Sequence, residues 1–440
     1  MTDRPLTILF WPESAYGPTN QCVGIGKVLL DRGHRVVFAA ESSWKGKLEP
    51  LGFGEELVDL AAPPEDSGDG AEEDAGAFWK EYIREIAPEF RKPTIEQLST
   101  FIQPTFQTLI DGAVYCEPRL REIIERVKPD VIVEDNVVCF PATVTADAPF
   151  VRIVSCNPLE MKGPGVAPTF SGYPQADSSS WDEFRSAFAE ATEKMWNTFN
   201  DFVVASGAPA LPEGEFIHTS DVANLYVYPQ EADYVAERPL DGTWTRMDSS
   251  VRSTDEPYEM PAKVRDRPVG SALIYLSLGS LGSADVDLMK RLIDVLGRTP
   301  HTFIVSKGPQ HTDYELADNM VGAEFLPQIK IIPEVDLVIT HGGNNTITEA
   351  LHFGKPTIVL PLFWDQYDNA QRMDELGFGK RLATYAFTDE EMTEALDTLL
   401  GDSDLQARMA ANAAAIQARK GTEVGADVIE KVARDYANSP

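Results

Sequence analysis

The sequence predicts an α/β protein with two doubly wound, Rossmann-like domains that face a central cleft. Short apolar runs typical of buried strands alternate with stretches that have the periodicity of helices. The alternation occurs in two series, which are separated by residues 239–270, a stretch rich in Pro, Asp, Arg and Ser with little periodicity. The 440 residues are also too many for one typical domain.

These patterns divide the chain into four parts. We predict an N-terminal domain over residues 1–238, a linker over 239–270, a C-terminal domain over 271–422 and a closing helix over 423–440. The closing helix is expected to pack back on the N-terminal domain. Ligands of such sheets bind beyond the carboxyl ends of the strands, so the cleft between the domains is the expected site.

The first series opens with a strand, a helix and a strand within about 35 residues, which is a βαβ unit. Its predicted strands are 6–11, 34–40, 130–135, 150–155 and 224–228, the last of this half. Its predicted helices are 20–31, 78–127 and 181–207, and the second of them has a predicted break near Pro104. Its predicted loops are 12–19, the acidic stretch 65–76, and 161–180.

The second series repeats the pattern. Its predicted strands are 272–277, 302–306, 322–326, 335–340 and 356–361. Its predicted helices are 286–296, 347–353, 405–419 and 424–436. Alternation of this kind indicates a second parallel sheet covered by helices.

The composition excludes several classes of protein. Lys and Arg number 38 against 70 Asp and Glu, a net charge of −32, so binding to nucleic acid or to an anionic membrane surface is not expected. The four cysteines are scattered among apolar residues and the six histidines form no metal-ligand pattern, so neither disulfides nor a metal site is expected. The N-terminus runs straight into a predicted strand, so no signal peptide is expected, and no apolar run reaches the roughly 20 residues of a membrane span. We therefore expect a cytoplasmic protein.

One stretch of the second half has the pattern of a phosphate site. The predicted strand 335–340 is followed by the turn His341-Gly342-Gly343, and Asn345 and Thr346 offer oxygens that would cap the helix 347–353. Free N–H groups at a helix start suit a phosphate, and His341 adds a donor. The alternative is an ordinary capped strand–turn–helix.

Other polar groups follow the ends of further predicted strands of the second half. Gly279-Ser280 follows strand 272–277, Phe325 and Gln328 lie at the end of strand 322–326, and Trp364-Asp365-Gln366 follows strand 356–361. A purely structural sheet does not need so many hydrogen-bonding groups along one rim. The pattern therefore predicts a single site at this edge of the sheet.

The stretch from Phe325 to Met373 closely resembles the donor-binding signature of the UDP-glycosyltransferase family (glycosyltransferase family 1), which has the GT-B fold. The matching motifs, with their spacing, are Phe325-Leu-Pro-Gln328, His341-Gly-Gly-Asn-Asn-Thr-Ile-Thr-Glu349, Gly354-Lys-Pro356 and Pro361-Leu-Phe-Trp-Asp-Gln366. Tyr275-Leu-Ser-Leu-Gly-Ser280 resembles the loop of the same domain that meets the diphosphate.

The resemblance implies a role for each matching residue. Phe325 would stack on the base, the backbone near Gln328 would read the edge of the base, and Glu349 would hold the ribose hydroxyls. His341 would contact the diphosphate, and Asp365 and Gln366 would bond the donor sugar. The whole predicted donor-binding set is Gly279, Ser280, Phe325, Gln328, His341, Gly343, Asn344, Asn345, Thr346, Glu349, Trp364, Asp365 and Gln366. The alternatives are that Glu349 is a solvated helix residue and that Asp365 is an N-cap.

The first half departs from the family at the position of the catalytic base. Inverting members use a His in the loop after the first strand, oriented by a buried Asp. Pro18 stands at the His position, and Asp135 matches the Asp. Either Asp135 or Glu13 is therefore the base, or the acceptor is a phenol or acid that ionises easily, or the protein binds a nucleotide sugar without transferring it.

The predicted function is transfer of a hexose from a nucleotide diphosphate sugar to a small lipophilic acceptor, with inversion. UDP-glucose is the first donor considered and a dTDP-deoxysugar the second. No metal and no cofactor besides this co-substrate is expected, and the protein would be a monomer or homodimer. The rivals are a silent nucleotide-sugar-binding partner protein and, less favoured, an epimerase of related fold. Residues 78–108 and 161–173 are apolar and aromatic enough for a polyketide, flavonoid or lipid acceptor.

Overall fold

Two parallel β-sheets form the framework of the computed structural model, which describes residues 4–62, 85–254 and 257–438. The first sheet has strand order β3-β2-β1-β4-β5-β6-β7 and the second β10-β9-β8-β11-β12-β13. In chain order the strands are β1 Thr7–Pro12, β2 Arg35–Glu41, β3 Gly54–Val58, β4 Val131–Asp135, β5 Phe150–Val154, β6 Asn224–Val227, β7 Trp244–Met247, β8 Leu273–Ser277, β9 Thr302–Ser306, β10 Met320–Ala323, β11 Leu337–Thr340, β12 Thr357–Val359 and β13 Gly379–Arg381. The predicted doubly wound α/β fold is confirmed.

Helices cover both sheets. The longer ones are α1 Tyr16–Asp31, α2 Gln103–Val127, α3 Trp181–Ala205, α4 Val286–Gly297, α5 Asn344–His352, α6 Gln366–Glu375, α7 Asp389–Gly401, α8 Ser403–Ala418 and α9 Gly421–Ala437. Short helical turns lie at Ser42–Trp44, Glu49–Leu51, Ala87–Arg91, Thr94–Gln97, Leu98–Ile102, Pro141–Val144, Pro158–Met161, Ala262–Arg265, Gly279–Gly282, Gln328–Ile331 and Ile332–Glu334. None of the described helices is long and apolar enough to cross a membrane.

The predicted helix 20–31 begins earlier than expected, at Tyr16, so the loop predicted over residues 12–19 is shorter. Pro18 lies in the first turn of α1, where a backbone N–H would have no intrahelical acceptor, and proline is therefore tolerated there. This extension brings Tyr16 and Gly17 to the cleft.

The break predicted near Pro104 is wrong. The described chain is interrupted at Lys92, whose φ of −82° and ψ of 157° are extended, because Pro93 disfavours a helical conformation in the residue before it. From Thr94 the chain stays helical. It continues through a π-helical turn at Leu98–Ile102, which is wider than an α-helical turn, and directly into α2. The wide turn accommodates the missing N–H of Pro104 in the first turn of α2. Residues 78–84 of the predicted helix and the predicted loop 65–76 lie outside the described residues.

The first sheet does not end at the predicted strand 224–228. A further strand, β7, pairs in parallel with β6, and it lies within the residues predicted as linker. Its four residues are mostly half-buried, as expected at a sheet edge, and so short a run carries little periodicity. In the second sheet the predicted strand 322–326 is shifted, since β10 ends at Ala323.

The hydrophobic core runs through both halves. The ring of Phe363 lies 5.0 Å from that of Phe90 and 5.4 Å from that of Phe101, so apolar contacts continue from one sheet to the other. On the other face of the first sheet, Ile429 and Ala433 of α9 are buried with Ile8 and Phe38. The carboxyl ends of β5 and β6 face that of β11, because Asn344, shortly after β11, donates to Ser155 O and Val227 O.

Candidate functional site

The helix start at residue 344 forms the centre of the site. The predicted caps are wrong: Gly343 is the N-cap residue, it makes no side-chain capping bond, and Asn345 and Thr346 lie inside the first turn of α5. The first hydrogen bond of the helix runs from Ile347 N to Gly343 O. The N–H groups of residues 344–346 therefore precede the intrahelical ladder and point out of the helix start, which is the arrangement that binds an anion.

His341 lies directly before this helix start, at the end of β11. Its Nδ1 is 3.3 Å from Thr340 Oγ1. Burial lowers the pKa of His341 to about 4, so the imidazole is neutral at pH 7 and can donate one N–H. A neutral donor next to three free backbone N–H groups suits the oxygens of a diphosphate.

Two glycines leave room for the imidazole ring. A Cβ at Gly279 would lie 2.8 Å from Cε1 of His341, and a Cβ at Gly343 would lie 2.7 Å from its Nε2. Gly279 also has a φ of +71°, a conformation that other residues adopt with strain. The side chain of Ser280 lies outside the described part of the structure, so the predicted role of this hydroxyl stays a prediction.

We expect Gly279→Ala to lower both nucleotide affinity and transfer rate, because the new methyl group would displace the His341 ring. The control is Gly207→Ala, since Gly207 has a φ of +92° and nothing within 4 Å of its added Cβ. Both variants carry the cost of the left-handed conformation, on the order of 1 kcal/mol in the free energy of unfolding. Donor titration and initial rates should separate them; equal donor affinities would show that the His341 ring position does not matter.

Glu349 is buried, so the interpretation as a solvated helix residue is wrong. Only 1% of its surface is exposed. Its Oε2 accepts a hydrogen bond from Gln328 Nε2 at 2.6 Å, and its Oε1 accepts from Asn345 Nδ2 at 3.1 Å. Gln328 Nε2 also lies 3.2 Å from Thr346 Oγ1. The structure thus brings four predicted donor-site residues into one hydrogen-bonded group.

Sequence reasoning missed Arg252, which completes this group. Its Nη1 lies 3.2 Å from Glu349 Oε1, and both side chains are largely buried. The arginine neutralises the carboxylate and holds it at the edge of the cleft. No sequence signal indicated this pair, because Arg252 lies in the predicted linker, 97 positions away from its partner.

Phe325 presents an open aromatic face, with 53% of its surface exposed. Its ring lies 6.5 Å from that of Tyr16 and is tilted 38° to it. Tyr16 was missed because it fell in the predicted loop before α1. Two exposed rings on opposite sides of the cleft entrance provide apolar surface of the kind on which a planar base stacks.

Trp364 lies towards the N-terminal half. Its φ is +57°, and its ring lies 4.5 Å from that of Phe170 and 5.2 Å from that of Phe106. The left-handed backbone costs about 1–3 kcal/mol, and these aromatic contacts offset it.

Asp365 and Gln366 are buried at the start of α6. Asp365 is the N-cap residue, but its side chain makes no capping bond; instead its Oδ2 accepts from Asn157 N at 2.7 Å. Burial raises the pKa of Asp365 to about 7, and Glu160 adds to the rise. Gln366 Oε1 accepts from the backbone N–H of Leu362 at 3.1 Å. Asp365 Oδ2 and Gln366 Oε1 therefore both accept hydrogen bonds from backbone N–H groups.

Asn344 also joins the two halves. Its Nδ2 donates to Ser155 O at 2.7 Å and to Val227 O at 3.0 Å. The side chain is thus used for contact between the halves, while its backbone N–H remains at the helix start. The ends of β5 and β6 are held against α5 in this way.

The two candidate bases differ in their surroundings. The carboxylate of Glu13 folds back on its own loop, with Oε2 accepting from Ala15 N at 3.0 Å and Oε1 from Ser14 Oγ at 3.1 Å. Asp135, at the end of β4, is 3% exposed, and its Oδ2 lies 3.8 Å from Cys22 Sγ. Burial raises the pKa of both carboxyl groups, that of Asp135 to about 8.

Two parallel sheets that face a cleft, with a helix start suited to an anion on one side and buried carboxyl groups on the other, are the architecture of the GT-B fold. Residues 252–410 match the family model described as UDP-glucoronosyl and UDP-glucosyl transferase. These residues therefore carry the domain of this family, glycosyltransferase family 1, and the protein is a glycosyltransferase.

Relatives similar over most of the chain carry related names. The NDP-glycosyltransferase YjiC of Bacillus subtilis (strain 168) is 23% identical over 424 residues, 94% of either chain. The oleandomycin glycosyltransferase of Streptomyces antibioticus is 24% identical over 433 residues, 97% of this chain and 90% of its own.

Solved structures share the fold. The glycotransferase of kitacinnamycin superposes with a TM-score of 0.69 at 20% identity, covering 98% of this chain and 99% of its own. The glycosyltransferase VinC in complex with dTDP superposes with a TM-score of 0.63 at 16% identity, covering 98% of this chain and 100% of its own.

Proposed function

We propose that the protein transfers a hexose from a nucleotide diphosphate sugar to a hydroxyl of a small lipophilic acceptor, with inversion at the anomeric carbon. The observation that carries the proposal is the helix start of α5 beside a neutral His341. These groups would stabilise the negative charge of the departing diphosphate, so the reaction would need neither a metal nor a further cofactor. UDP-glucose is the first donor to test, and a dTDP-sugar is the second.

Within this proposal the nucleoside lies between Phe325 and the group around Glu349. The base would stack on Phe325, and the ribose hydroxyls would reach Glu349, which Gln328 and Arg252 hold in place. The hexose hydroxyls would bond Asp365 and Gln366, whose remaining polar atoms lie near the start of α6. A dTDP complex of one structural neighbour supports including dTDP-sugars in the test.

A natural product is the acceptor class we favour. One relative is named for oleandomycin and one structural neighbour for kitacinnamycin. The aromatic side chains of the first half that surround Trp364 would receive such an apolar scaffold. The polar end of the acceptor, its hydroxyl, would point to Asp135 and the anomeric carbon.

Asp135 is the base that we favour. Both oxygens of Glu13 already accept hydrogen bonds from its own loop, whereas Asp135 lies at the end of a central strand beside the start of α1. With a pKa raised to about 8, its carboxylate is basic enough to assist removal of a proton from an acceptor hydroxyl.

The proposal is tested by calorimetric titration with UDP-glucose, UDP-galactose, dTDP-glucose and dTDP-rhamnose. The donor that binds is then assayed for slow hydrolysis and for transfer to a panel of phenols, flavonoids and macrolides. If none of these nucleotide sugars binds, the proposed function is wrong. Binding without hydrolysis or transfer would favour a silent nucleotide-sugar-binding protein, the rival that Pro18 motivates.

We expect the transfer rate to rise with pH through about 8, because Asp135 is protonated below its raised pKa and acts as a base only above it. The rising limb should be absent in Asp135→Asn, which cannot ionise, and should remain in Cys22→Ala, which removes an uncharged neighbour. The measurement is kcat from pH 5.5 to 9.5 with a non-ionising acceptor alcohol. An unchanged profile in Asp135→Asn would exclude this residue as the base.

A further inference from the structure

The carboxylate of Glu349 is enclosed by protein donors from three segments of the chain. Asn345 Nδ2 and Arg252 Nη1 both approach Oε1, at 3.1 Å and 3.2 Å. Gln328 Nε2 donates to Oε2 at 2.6 Å. The side chain of Glu349 is only 2% exposed, so a ligand can reach this carboxylate only through a narrow opening.

These contacts limit what Glu349 can accept from a ligand. An ionised carboxylate has about four acceptor positions, two on each oxygen. The two contacts on Oε1 use both positions of that oxygen, and the contact with Gln328 uses one position of Oε2. At most one position, on Oε2, is therefore left for a ligand. A carboxylate that accepts from both hydroxyls of a ribose needs two.

Arg252 is held at Glu349 because the segment before it is anchored on α1. Ser250 is buried, and its Oγ donates to Gln21 O at 2.6 Å. A Cβ at Gly24 would lie only 2.9 Å from Ser250 O, so the segment packs closely against the helix. The fold therefore places the guanidinium of Arg252 against the carboxylate before any nucleotide binds.

The place of Glu349 on α5 favours the 3′-hydroxyl of the nucleoside. The N–H groups of residues 344–346, where the diphosphate is expected, lie about one helical turn before Glu349, roughly 5 Å along the axis. In a nucleotide the 3′-carbon is one bond closer than the 2′-carbon to the carbon that carries the diphosphate. A nucleotide held at the helix start therefore presents its 3′-hydroxyl first, and this hydroxyl is common to ribose and 2′-deoxyribose.

We propose that Arg252 is a specificity-determining residue, which occupies Glu349 so that the site does not read the 2′-hydroxyl of the donor. The protein then takes 2′-deoxynucleotide donors, such as dTDP-sugars, as readily as ribonucleotide donors, and the base and the hexose select among them. This inference rests on the proposed function, which places the sugar of the nucleoside at Glu349. It deepens that function by naming the class of nucleotide.

The first test compares three nucleotides on the unmodified protein by calorimetric titration. UDP and 2′-deoxy-UDP differ only in the 2′-hydroxyl, and we expect their Kd values to agree within about threefold. 3′-Deoxy-UDP lacks the hydroxyl that Glu349 accepts and should bind roughly tenfold more weakly, the usual effect of losing a hydrogen bond to a charged group. A larger preference for UDP over 2′-deoxy-UDP would overturn the proposal. Equal Kd values for all three would also overturn it, because no sugar hydroxyl would then meet Glu349.

Arg252→Met should create the preference that the unmodified protein lacks. The change vacates a position on Oε1, so Glu349 can accept from both hydroxyls, and UDP should bind roughly tenfold more tightly than 2′-deoxy-UDP. The control is Arg298→Met, which removes an exposed guanidinium paired with Asp389 and should leave the ratio unchanged. Equal weakening of the two nucleotides by Arg252→Met would show that Arg252 holds the diphosphate instead, and the proposal would be wrong.

The outcomes separate this inference from the proposed function. If no nucleotide binds the unmodified protein, the proposed function itself fails. If nucleotides bind with a clear preference for UDP over 2′-deoxy-UDP, the proposed function stands and only the role of Arg252 is wrong. Should Arg252→Met fail to fold, the comparison of the three nucleotides on the unmodified protein still decides.

Discussion

Replacing His341 by Ala is expected to lower kcat for transfer by about 10²- to 10³-fold, with a smaller effect on donor affinity. The neutral imidazole lies beside the free N–H groups of residues 344–346, and a preorganised donor acts mainly where charge develops on the departing diphosphate. The pKa of His341 is lowered to about 4, so this donor does not change its charge between pH 6 and 9. The pH dependence attributed to Asp135 should therefore remain in the residual activity of the variant.

The matched control is His352→Ala, at the other end of the same helix. His352 Nδ1 lies 2.8 Å from Ser249 Oγ, so the control loses a histidine contact without affecting the helix start. His341→Asn, which retains an N–H donor on a shorter side chain, should recover part of the rate. A kcat of His341→Ala within threefold of the unmodified protein would show that the diphosphate does not depart at this helix start.

Replacing Asp368 by Ala is expected to lower the free energy of unfolding by about 2–4 kcal/mol. Asp368 is buried on α6, and its two oxygens accept from Phe170 N at 2.7 Å and from Gly172 N at 2.8 Å. Removing the carboxylate leaves two buried N–H groups without acceptors. These bonds join α6 to the segment of Phe170, whose ring lies 4.5 Å from that of Trp364. Under the proposed function this segment lies on the acceptor side, so acceptor KM should also rise.

Urea unfolding measures the loss, with Asp374→Ala as the control. Asp374 lies on the same helix but is exposed, and it accepts only a long surface hydrogen bond from Arg381 N at 3.3 Å within the described structure, so its change should stay within about 0.5 kcal/mol. Asp368→Asn keeps one acceptor oxygen and should fall between the two. A loss below about 1 kcal/mol in Asp368→Ala would mean that the segment finds other acceptors and that α6 does not hold it.

The fold class was predictable because parallel strands buried on both faces appear as apolar runs, and their alternation with helices needs no tertiary information. Local geometry was less predictable. Asn345 and Thr346 are good capping types, yet the helix begins at Asn344, since the glycines leave room for His341 and Gly343 takes the N-cap position. The strand β7 was missed because four residues at a sheet edge carry little periodicity.

The residues predicted for the donor side were selected from residue types and spacing, because they follow the carboxyl ends of strands of one sheet. Partners from other parts of the chain were not found this way. Arg252 pairs with Glu349, and the ring of Tyr16 lies near that of Phe325. The two residues of each pair are far apart in the sequence, so no local pattern indicates the contact. The same holds for the contact of Asp365 with Asn157.

The sequence by itself therefore determined the two-sheet architecture, the resemblance to the family and the order, along one rim, of the residues predicted to bind the donor. Only the tertiary structure decided which polar groups meet and which are buried, because packing the two halves together sets hydrogen-bond partners and removes water. Burial makes His341 a neutral donor and raises the pKa of Asp135 to about 8.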